Sequence, residues 1–436
     1  MIKIAVITLG CAKNQVDSEY MMGILEQNRF TITGDAGAAA VVIVNTCSFI
    51  TAAKEEAIET ILELTVAPKH PRIIVAGCLA QQHARELWPE LPEVAAFIAP
   101  GAIGRLPQII ERVLAGERLL DVPPPVAEGG SLPRRVDGGR PYAYLKIAEG
   151  CDNRCSYCTI PAIKGAYRSR PLEDLVAEAR TLAEAGVKEL ILVAQDTTAY
   201  GRDCYGEYRL PQLLHELARL PALEWLRILY AYPSRITPQL VETMAAEAKV
   251  VPYLDLPLQH ASAPILRRMR RPADLAAVGR VIANLRRAMP AIALRSTFIV
   301  GFPGEGEEDF QILLDFLDMV QFDWVGAFKY SPEAATTAAF LSDQVPEEVK
   351  EERYQRLMLH QQPVTRSRNE LWVGRQVQVL VEEPGAGRSF RQAPEVDGLI
   401  YLRGAGLPPG SMATVKLTRV KGIYDMMGTP VLPGNS

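Results

Sequence analysis

Ala143-Tyr-Leu-Lys-Ile-Ala-Glu-Gly-Cys151-Asp-Asn-Arg-Cys155-Ser-Tyr-Cys158 is a β-type run that leads, after two residues, into three closely spaced cysteines. The run is the first of six strand candidates, at residues 143–148, 189–194, 225–231, 253–258, 293–300 and 324–330, each followed by a stretch of helical periodicity. Six β/α units in about 225 residues predict an open or incomplete barrel, because the closed form takes eight.

On the N-terminal side, residues 3–9, 41–45 and 72–76 are short apolar runs rich in β-branched residues. Helical patterns start near Asp17, Ala52 and Ala80, and residues 96–99 add a further strand candidate, so this part reads as a parallel α/β sheet. Residues 116–141, with Pro123, Pro124, Pro125, Gly129, Gly130, Pro133, Gly138, Gly139 and Pro141, read as neither helix nor strand and hold a domain boundary. Beyond a charged helix at 346–370, residues 372–430 carry β-type runs (376–381, 398–402 and 413–417) punctuated by Gly and Pro, which predicts a small all-β barrel. The expected fold class is α/β: an N-terminal open parallel sheet over residues 1–120, a linker at 121–140, a central partial (β/α)6 barrel at 141–368 and the β module at 369–436.

With 48% hydrophobic and 22% charged residues, the 436-residue chain is globular in composition and is neither disordered nor a disulfide scaffold. No apolar run approaches the roughly 20 residues that cross a bilayer, and Met1-Ile-Lys-Ile-Ala-Val-Ile-Thr reads as a first strand and not a signal peptide, so a cytoplasmic protein without a membrane partner is expected. There the seven cysteines are metal ligands, nucleophiles or core residues more than disulfide partners. The formal charge of -4 argues against a protein gripped to nucleic acid by its overall field, though not against a local basic face such as the four arginines of Leu266-Arg-Arg-Met-Arg-Arg-Pro272.

Three thiolates spaced C-x3-C-x2-C can hold three irons of a 4Fe-4S cluster and leave the fourth open to a small chelating molecule. Structural zinc is the alternative, but it normally takes four ligands, and His83 and His215 are far away in sequence. Cys11, Cys47 and Cys78 each end a strand, so they share one edge of a parallel sheet and can converge although more than 30 residues apart. A single cysteine at such a place is usually core; three at the same topological position, two of them after Gly, read as a second ligand set. Cys204 lies in a turn-rich loop and reads as incidental.

The cysteine loop, with aromatic Tyr157 before its last cysteine, resembles the radical S-adenosylmethionine superfamily. Leu9-Gly-Cys-Ala-Lys-Asn-Gln-Val-Asp-Ser-Glu19, Asn45-Thr-Cys-Ser-Phe-Ile50 and Gly77-Cys-Leu-Ala-Gln81 further resemble its methylthiotransferase branch, and the order of domains, ending in a module of the TRAM type, is similar. The resemblance implies that Cys151, Cys155 and Cys158 hold the cluster that cleaves S-adenosylmethionine to a 5′-deoxyadenosyl radical, and that Cys11, Cys47 and Cys78 hold an auxiliary 4Fe-4S cluster where sulfur is methylated. Gln195-Asp-Thr-Thr-Ala-Tyr-Gly201, Tyr253-Leu-Asp-Leu-Pro-Leu-Gln-His260 and Phe298-Ile-Val-Gly-Phe-Pro-Gly-Glu305 look like the RimO type, which implies methylthiolation of an aspartyl β-carbon in the twelfth small-subunit ribosomal protein, free or in the subunit. A flavodoxin or ferredoxin as electron donor and a ribosomal RNA contact complete the implied partners. Two alternatives stand beside it: methylthiolation of an adenosine in transfer RNA, and a non-catalytic ribosome-binding factor. The β module, with seven Lys and Arg against six Asp and Glu over 370–432, is weakly charged for an RNA-gripping one. Glu333-Ala-Ala-Thr-Thr337 departs from the family, which often has an acidic pair and then Gly-Thr.

Barrel strands deliver functional residues at their carboxyl ends. A carboxylate of Glu149 or Asp196, or the Gln195 amide, can orient the ammonium of S-adenosylmethionine, and Arg295 can pair with its carboxylate. An ordinary hydrogen-bonded loop role is the alternative for each. Ile299-Val-Gly-Phe-Pro-Gly-Glu305 lacks the Gly-Lys-Ser/Thr ending of a phosphate loop, and the resemblance makes it a turn approaching adenine and ribose. The expected S-adenosylmethionine contacts are therefore Tyr157, Glu149, Gln195, Asp196, Arg295, Ser296 and Gly301; no catalytic residue beyond the cluster ligands is assigned.

Overall fold

The computed structural model describes residues 2–67, 70–125, 132–136, 139–404 and 406–431, and the chain forms two compact units. The first comprises Met1–Asp137, Ala148–Asp174 and Glu333–Thr336; the second comprises Gly138–Ile147, Leu175–Pro332 and Thr337–Ser436.

The first unit is built on β1 (Lys3–Thr8), α1 (Ala12–Gln27), β2 (Thr31–Ile32), β3 (Val41–Thr46), α2 (Thr51–Thr65), β4 (Arg72–Gly77), α3 (Cys78–Glu90), β5 (Val94–Ile98), α4 (Leu106–Leu114) and β6 (Leu119–Asp121). The strands form one parallel sheet in the order β2-β1-β3-β4-β5-β6. Every residue of β3 and β5 is buried, the near-continuous apolar pattern of a sheet covered on both faces. The helices start earlier than periodicity suggested, at Ala12, Thr51 and Cys78; for the first and third this is because Cys11 caps α1 and Cys78 is itself the first residue of α3. β6 corrects the expectation that 116–141 holds no strand: Leu119–Asp121 pairs with Ala96–Ile98 just ahead of the prolines. Gly129, Gly130 and Gly138 of the expected linker lie outside the described residues. Residues 132–136 cross α1 so closely that a Cβ on Gly23 would stand 2.4 Å from the Pro133 carbonyl oxygen. Arg134 donates from Nε to Glu19 at 2.8 Å, and the Arg135 N–H donates to the Glu19 carbonyl at 3.0 Å, fixing this strap.

The chain then forms β7 (Tyr142–Lys146), which belongs to the second unit, and β8 (Ala148–Glu149), α5 (Ile160–Lys164) and β9 (Arg168–Ser169), which belong to the first. After α6 (Leu172–Glu184), whose first three residues belong to the first unit, the second unit continues with β10 (Glu189–Val193), α7 (Leu210–Ala218), β11 (Trp225–Ile228), α8 (Pro238–Ala246), β12 (Val250–Asp255), α9 (Ala263–Arg268), α10 (Leu275–Ala288), β13 (Ala293–Val300), α11 (Glu307–Val320), β14 (Trp324–Lys329) and α12 (Glu347–Glu370). Strands β14-β13-β12-β11-β10-β7 make the expected six-stranded open parallel sheet. β11 and β12 end earlier than expected, at Ile228 and Asp255, because Tyr230 and Gln259 adopt left-handed φ of 60° and 76° and Pro257 has no N–H to donate. Finally β15 (Gln376–Glu383), β16 (Ala386–Arg388), β17 (Ile400–Leu402), β18 (Met412–Lys421) and β19 (Asp425–Pro430) close into a barrel.

The segment 388–397 of this small barrel is bound by a side chain from every strand of the open sheet. Tyr142 donates to Glu395 at 3.1 Å, Arg227 to the Phe390 carbonyl at 2.7 Å, Trp324 to the Arg391 carbonyl at 2.6 Å and Tyr253 to Asp397 at 2.7 Å, while Arg295 lies 3.5 Å from Asp397. Glu189, with no exposed side-chain surface, accepts from Arg227 at 2.6 Å and from Arg388 at 2.7 Å. Burial alone would raise the Glu189 carboxyl, but the two guanidiniums outweigh it and hold it below the ordinary 4.5. Its contribution is therefore complete above that pH and fades as pH falls through the depressed value. Replacing Glu189 by Gln leaves two buried guanidiniums without their counter-charge and should destabilise the second unit by about 3–5 kcal/mol, read by urea unfolding at pH 7.

Candidate functional site

Cys11, Cys47 and Cys78 follow β1, β3 and β4, three neighbouring strands, so the parallel sheet carries all three thiols to one edge. Cys11 caps α1 and Cys78 opens α3, and each follows a glycine at left-handed φ, Gly10 at 97° and Gly77 at 92°. A Cβ on Gly10 would stand 2.6 Å from the Cys47 Cβ and 3.3 Å from its sulfur; one on Gly77 would stand 2.5 Å from Asn45 Oδ1. The neighbouring asparagines lock this edge. Asn14 donates to the Thr46 carbonyl at 2.9 Å and accepts from the Cys11 thiol at 3.2 Å, and Asn45 donates to the Asn14 carbonyl at 2.8 Å and to Ser18 at 2.9 Å.

Electrostatics tie the three thiols into one group. Burial raises the Cys47 thiol, and the nearby Cys11 raises it further. Burial pushes Cys78 up to about 12, with the Lys164 ammonium opposing and Cys47 and Cys11 adding to the rise. Such thiols stay protonated at neutral pH unless a metal cation binds them as thiolates.

The second triad lies in the same compact unit. Gly150, at φ 76°, passes so close to the returning chain that a Cβ would stand 2.1 Å from the Ala166 carbonyl oxygen. The Cys151 N–H donates to the Gly165 carbonyl at 3.1 Å, the Cys158 N–H to Cys155 at 3.2 Å, and Asp152 accepts from the Tyr167 N–H at 2.9 Å. All seven cysteines are free of disulfides, and Cys204 is exposed in its loop. Among the described residues no three His, Cys, Asp or Glu side chains close on one point as a single zinc ion requires. In a 4Fe-4S cluster each cysteine binds its own iron, so its ligands stand further apart. Two sets of three soft sulfur donors, held by glycine-permitted turns, fit such clusters.

The remaining expected contacts are placed as follows. Tyr157 and Gln195 are half-buried. Glu149 lies 3.4 Å from Lys164. Asp196 pairs with Arg235 and accepts from Thr198 at 2.6 Å. Ser296 is fully buried and donates to the Leu256 carbonyl at 2.7 Å. The Arg295 guanidinium faces two carboxylates of this chain, Asp255 at 3.0 Å and Asp397 at 3.5 Å. The Gly301 N–H donates to Glu305 at 2.8 Å, so the Gly-Phe-Pro-Gly-Glu turn is closed by its own carboxylate. His260, completely buried, accepts at Nδ1 from the Ser262 N–H at 2.9 Å, and its Nε2 lies 3.3 Å from Glu305 of the same turn. Glu333, in the departing loop, is buried against Lys54 at 2.6 Å. Sequence reasoning missed Lys164; its signal was a lone lysine closing the apolar Ile160-Pro-Ala-Ile163 right after the cysteine loop.

Residues 3–99 match the family described as uncharacterized protein family UPF0004, residues 145–317 the radical SAM superfamily and residues 373–431 the TRAM domain. The chain is 69% identical over 428 residues to the ribosomal protein uS12 methylthiotransferase RimO of Moorella thermoacetica, covering 98% of this chain and 99% of that one. It is 50% identical over 438 residues to the protein of the same name from Heliobacterium modesticaldum, covering 98% and 95%. In fold it is similar to the radical S-adenosylmethionine methyltransferase TsrM of Kitasatospora setae, solved with cobalamin and a [4Fe-4S] cluster bound, at a TM-score of 0.55 and 15% identity over 78% of this chain and 77% of that one.

A thiol held up at about 12 reacts slowly with alkylating agents at pH 8. In metal-free protein Cys78 should be alkylated by iodoacetamide well after the half-buried Cys155, and its rate should climb as pH approaches 12, both followed by peptide mass spectrometry.

Proposed function

The chain belongs to the family of ribosomal protein uS12 methylthiotransferases named RimO, and from that premise we propose that its two cysteine triads divide the reaction between them. It is a radical S-adenosylmethionine methylthiotransferase that acts on uS12 and uses S-adenosylmethionine and two 4Fe-4S clusters. The target is the β-carbon of an aspartyl residue. No general base of accessible pKa could remove that unactivated hydrogen, so a radical is required.

The observation that carries the division is the pair of open triads in one compact unit, each with three thiols. Cys151, Cys155 and Cys158 would hold the cluster whose electron cleaves S-adenosylmethionine, and Cys11, Cys47 and Cys78 the auxiliary cluster that carries the sulfur to be transferred. The chain's own residues set the ligands: Gly10, Gly77 and Gly150 let the backbone turn into each cysteine, and Asn14 and Asn45 hold the strand ends in register. Tyr157, Glu149, Gln195, Asp196, Arg295, Ser296 and Gly301 remain the proposed contacts of S-adenosylmethionine, and Glu149, Asp196, Ser296 and Arg295 each have a partner within the chain as well. A one-electron carrier such as flavodoxin or ferredoxin supplies the electrons. Encounter with uS12, free or in the small subunit, brings a ribosomal RNA contact, and a cytoplasmic setting agrees with the finding that no described helix is long and apolar enough to cross a membrane.

Replacing Cys151, Cys155 or Cys158 by Ala should abolish cleavage of S-adenosylmethionine. Replacing Cys11, Cys47 or Cys78 should leave cleavage largely intact and stop methylthio transfer to a uS12 substrate, scored by peptide mass spectrometry. Six variants with one phenotype would refute the division. Methylthioadenosine in transfer RNA, formed in place of modified uS12, would refute the substrate.

A further inference from the structure

Lys164 closes α5, six residues after Cys158, and its side chain is only 5% exposed. The ammonium lies 3.4 Å from Asp17 of α1, the helix capped by Cys11, and 3.4 Å from Glu149, two residues before Cys151. α5 packs on α3, the helix that begins at Cys78. Its backbone is fixed as well: the Lys164 carbonyl accepts from Arg168 at 3.0 Å, and the next carbonyl, that of Gly165, accepts from the Cys151 N–H at 3.1 Å. Lys164 is thus tied through its backbone to one triad and directed through its side chain toward the other.

The buried ammonium has two carboxylates beside it and the Cys78 and Cys11 thiols close enough to act on it, and in such water-poor surroundings like charges repel strongly. We propose that Lys164, oriented by Asp17 and Glu149, is the positioning residue that supplies the fixed positive charge of the N-terminal triad, stabilising the reduced auxiliary cluster and raising its reduction potential. This rests on the reading that Cys11, Cys47 and Cys78 hold a cluster. Burial opposes the charge, but Glu149 and Asp17, each 3.4 Å away, favour it, and the balance holds the ammonium well above its ordinary value. The sign follows from charge alone: reduction adds an electron, so a neighbouring cation favours the reduced state and a neighbouring carboxylate opposes it.

The test uses the full-length chain with Cys151, Cys155 and Cys158 replaced by Ala, reconstituted with iron and sulfide so that only the N-terminal triad carries a cluster. Iron content is measured first, and the reduction potential is then read by titration monitored by electron paramagnetic resonance. Lys164→Met should lower the reduced-to-oxidised ratio at a fixed potential at least tenfold, a negative shift of about 59 mV for one electron. Asp17→Asn should shift the potential in the positive direction, and Lys164→Arg should stay close to the parent. Lys164→Met and Asp17→Asn break the same ion pair, so a merely structural role would treat them alike. Shifts of the same sign, or no shift in either, overturn the proposal. Should Lys164→Met fail to fold, a positive shift in Asp17→Asn with an unchanged Lys164→Arg supports it, and the absence of that shift sinks it. A parent that takes up no iron overturns the cluster reading and this proposal with it.

Discussion

Three thiols must be held at one edge of a buried sheet, two of them, Cys47 and Cys78, pushed toward the protonated form by burial, and most of the first unit is arranged around that demand. Parallel pairing of β1, β3 and β4 delivers Cys11, Cys47 and Cys78 to one edge without any of them being near another in sequence. Packing at that edge is so tight that the residues before Cys11 and Cys78 have no room for a side chain. Asn14, Asn45 and Ser18 bind one another and the Thr46 and Asn14 carbonyls, and Asn14 in addition accepts from the Cys11 thiol, so the amides here are satisfied while holding the edge in place. Burial makes Cys47 and Cys78 poor nucleophiles and, for the same reason, ligands that ionise only for a metal.

A different economy governs the second unit. An open six-stranded sheet leaves its inward-facing polar side chains uncovered, and the segment 388–397 supplies partners for them. Buried ions in this region come in alternating sets: Arg227, Glu189 and Arg388 in one, Asp255, Arg295 and Asp397 in another, and Asp323 with Arg391 at 3.0 Å in a third. Pairing of this kind is often no more stabilising than an apolar filling would be, but it is strongly directional. The small barrel is thereby matched to one seat on the sheet by charge order and not by apolar area alone.

The six strands of the open sheet and the three of the N-terminal cysteine edge were legible because buried parallel strands are written as runs of Val, Ile and Leu, and because the cysteines punctuate their ends. β16 and β19 were not, since Ala386-Gly-Arg388 and Asp425-Met-Met-Gly-Thr-Pro430 carry almost no β-branched residues; they are strands because closing the barrel pairs them. At the site, ligand identity was legible and side-chain allegiance was not. Nothing local to Arg295 announces Asp397, about a hundred residues on, and nothing local to Lys164 announces Asp17. Spacing reveals groups that act together within one loop or along one edge, whereas a buried charge finds its partner only once the chain has folded.

The first unit is assembled from three separate pieces of chain, the last being Glu333–Thr336, where Glu333 meets Lys54. During synthesis at about 5–20 residues per second, this last piece leaves the ribosome roughly ten to forty seconds after the N-terminal sheet is complete. For that interval the sheet edge with its three thiols exists as an unfinished body, and the nascent chain has a period in which Cys11, Cys47 and Cys78 are in place before Glu333 has joined Lys54. The order of translation therefore leaves the first unit one segment short until every strand from β1 to β14 has been made.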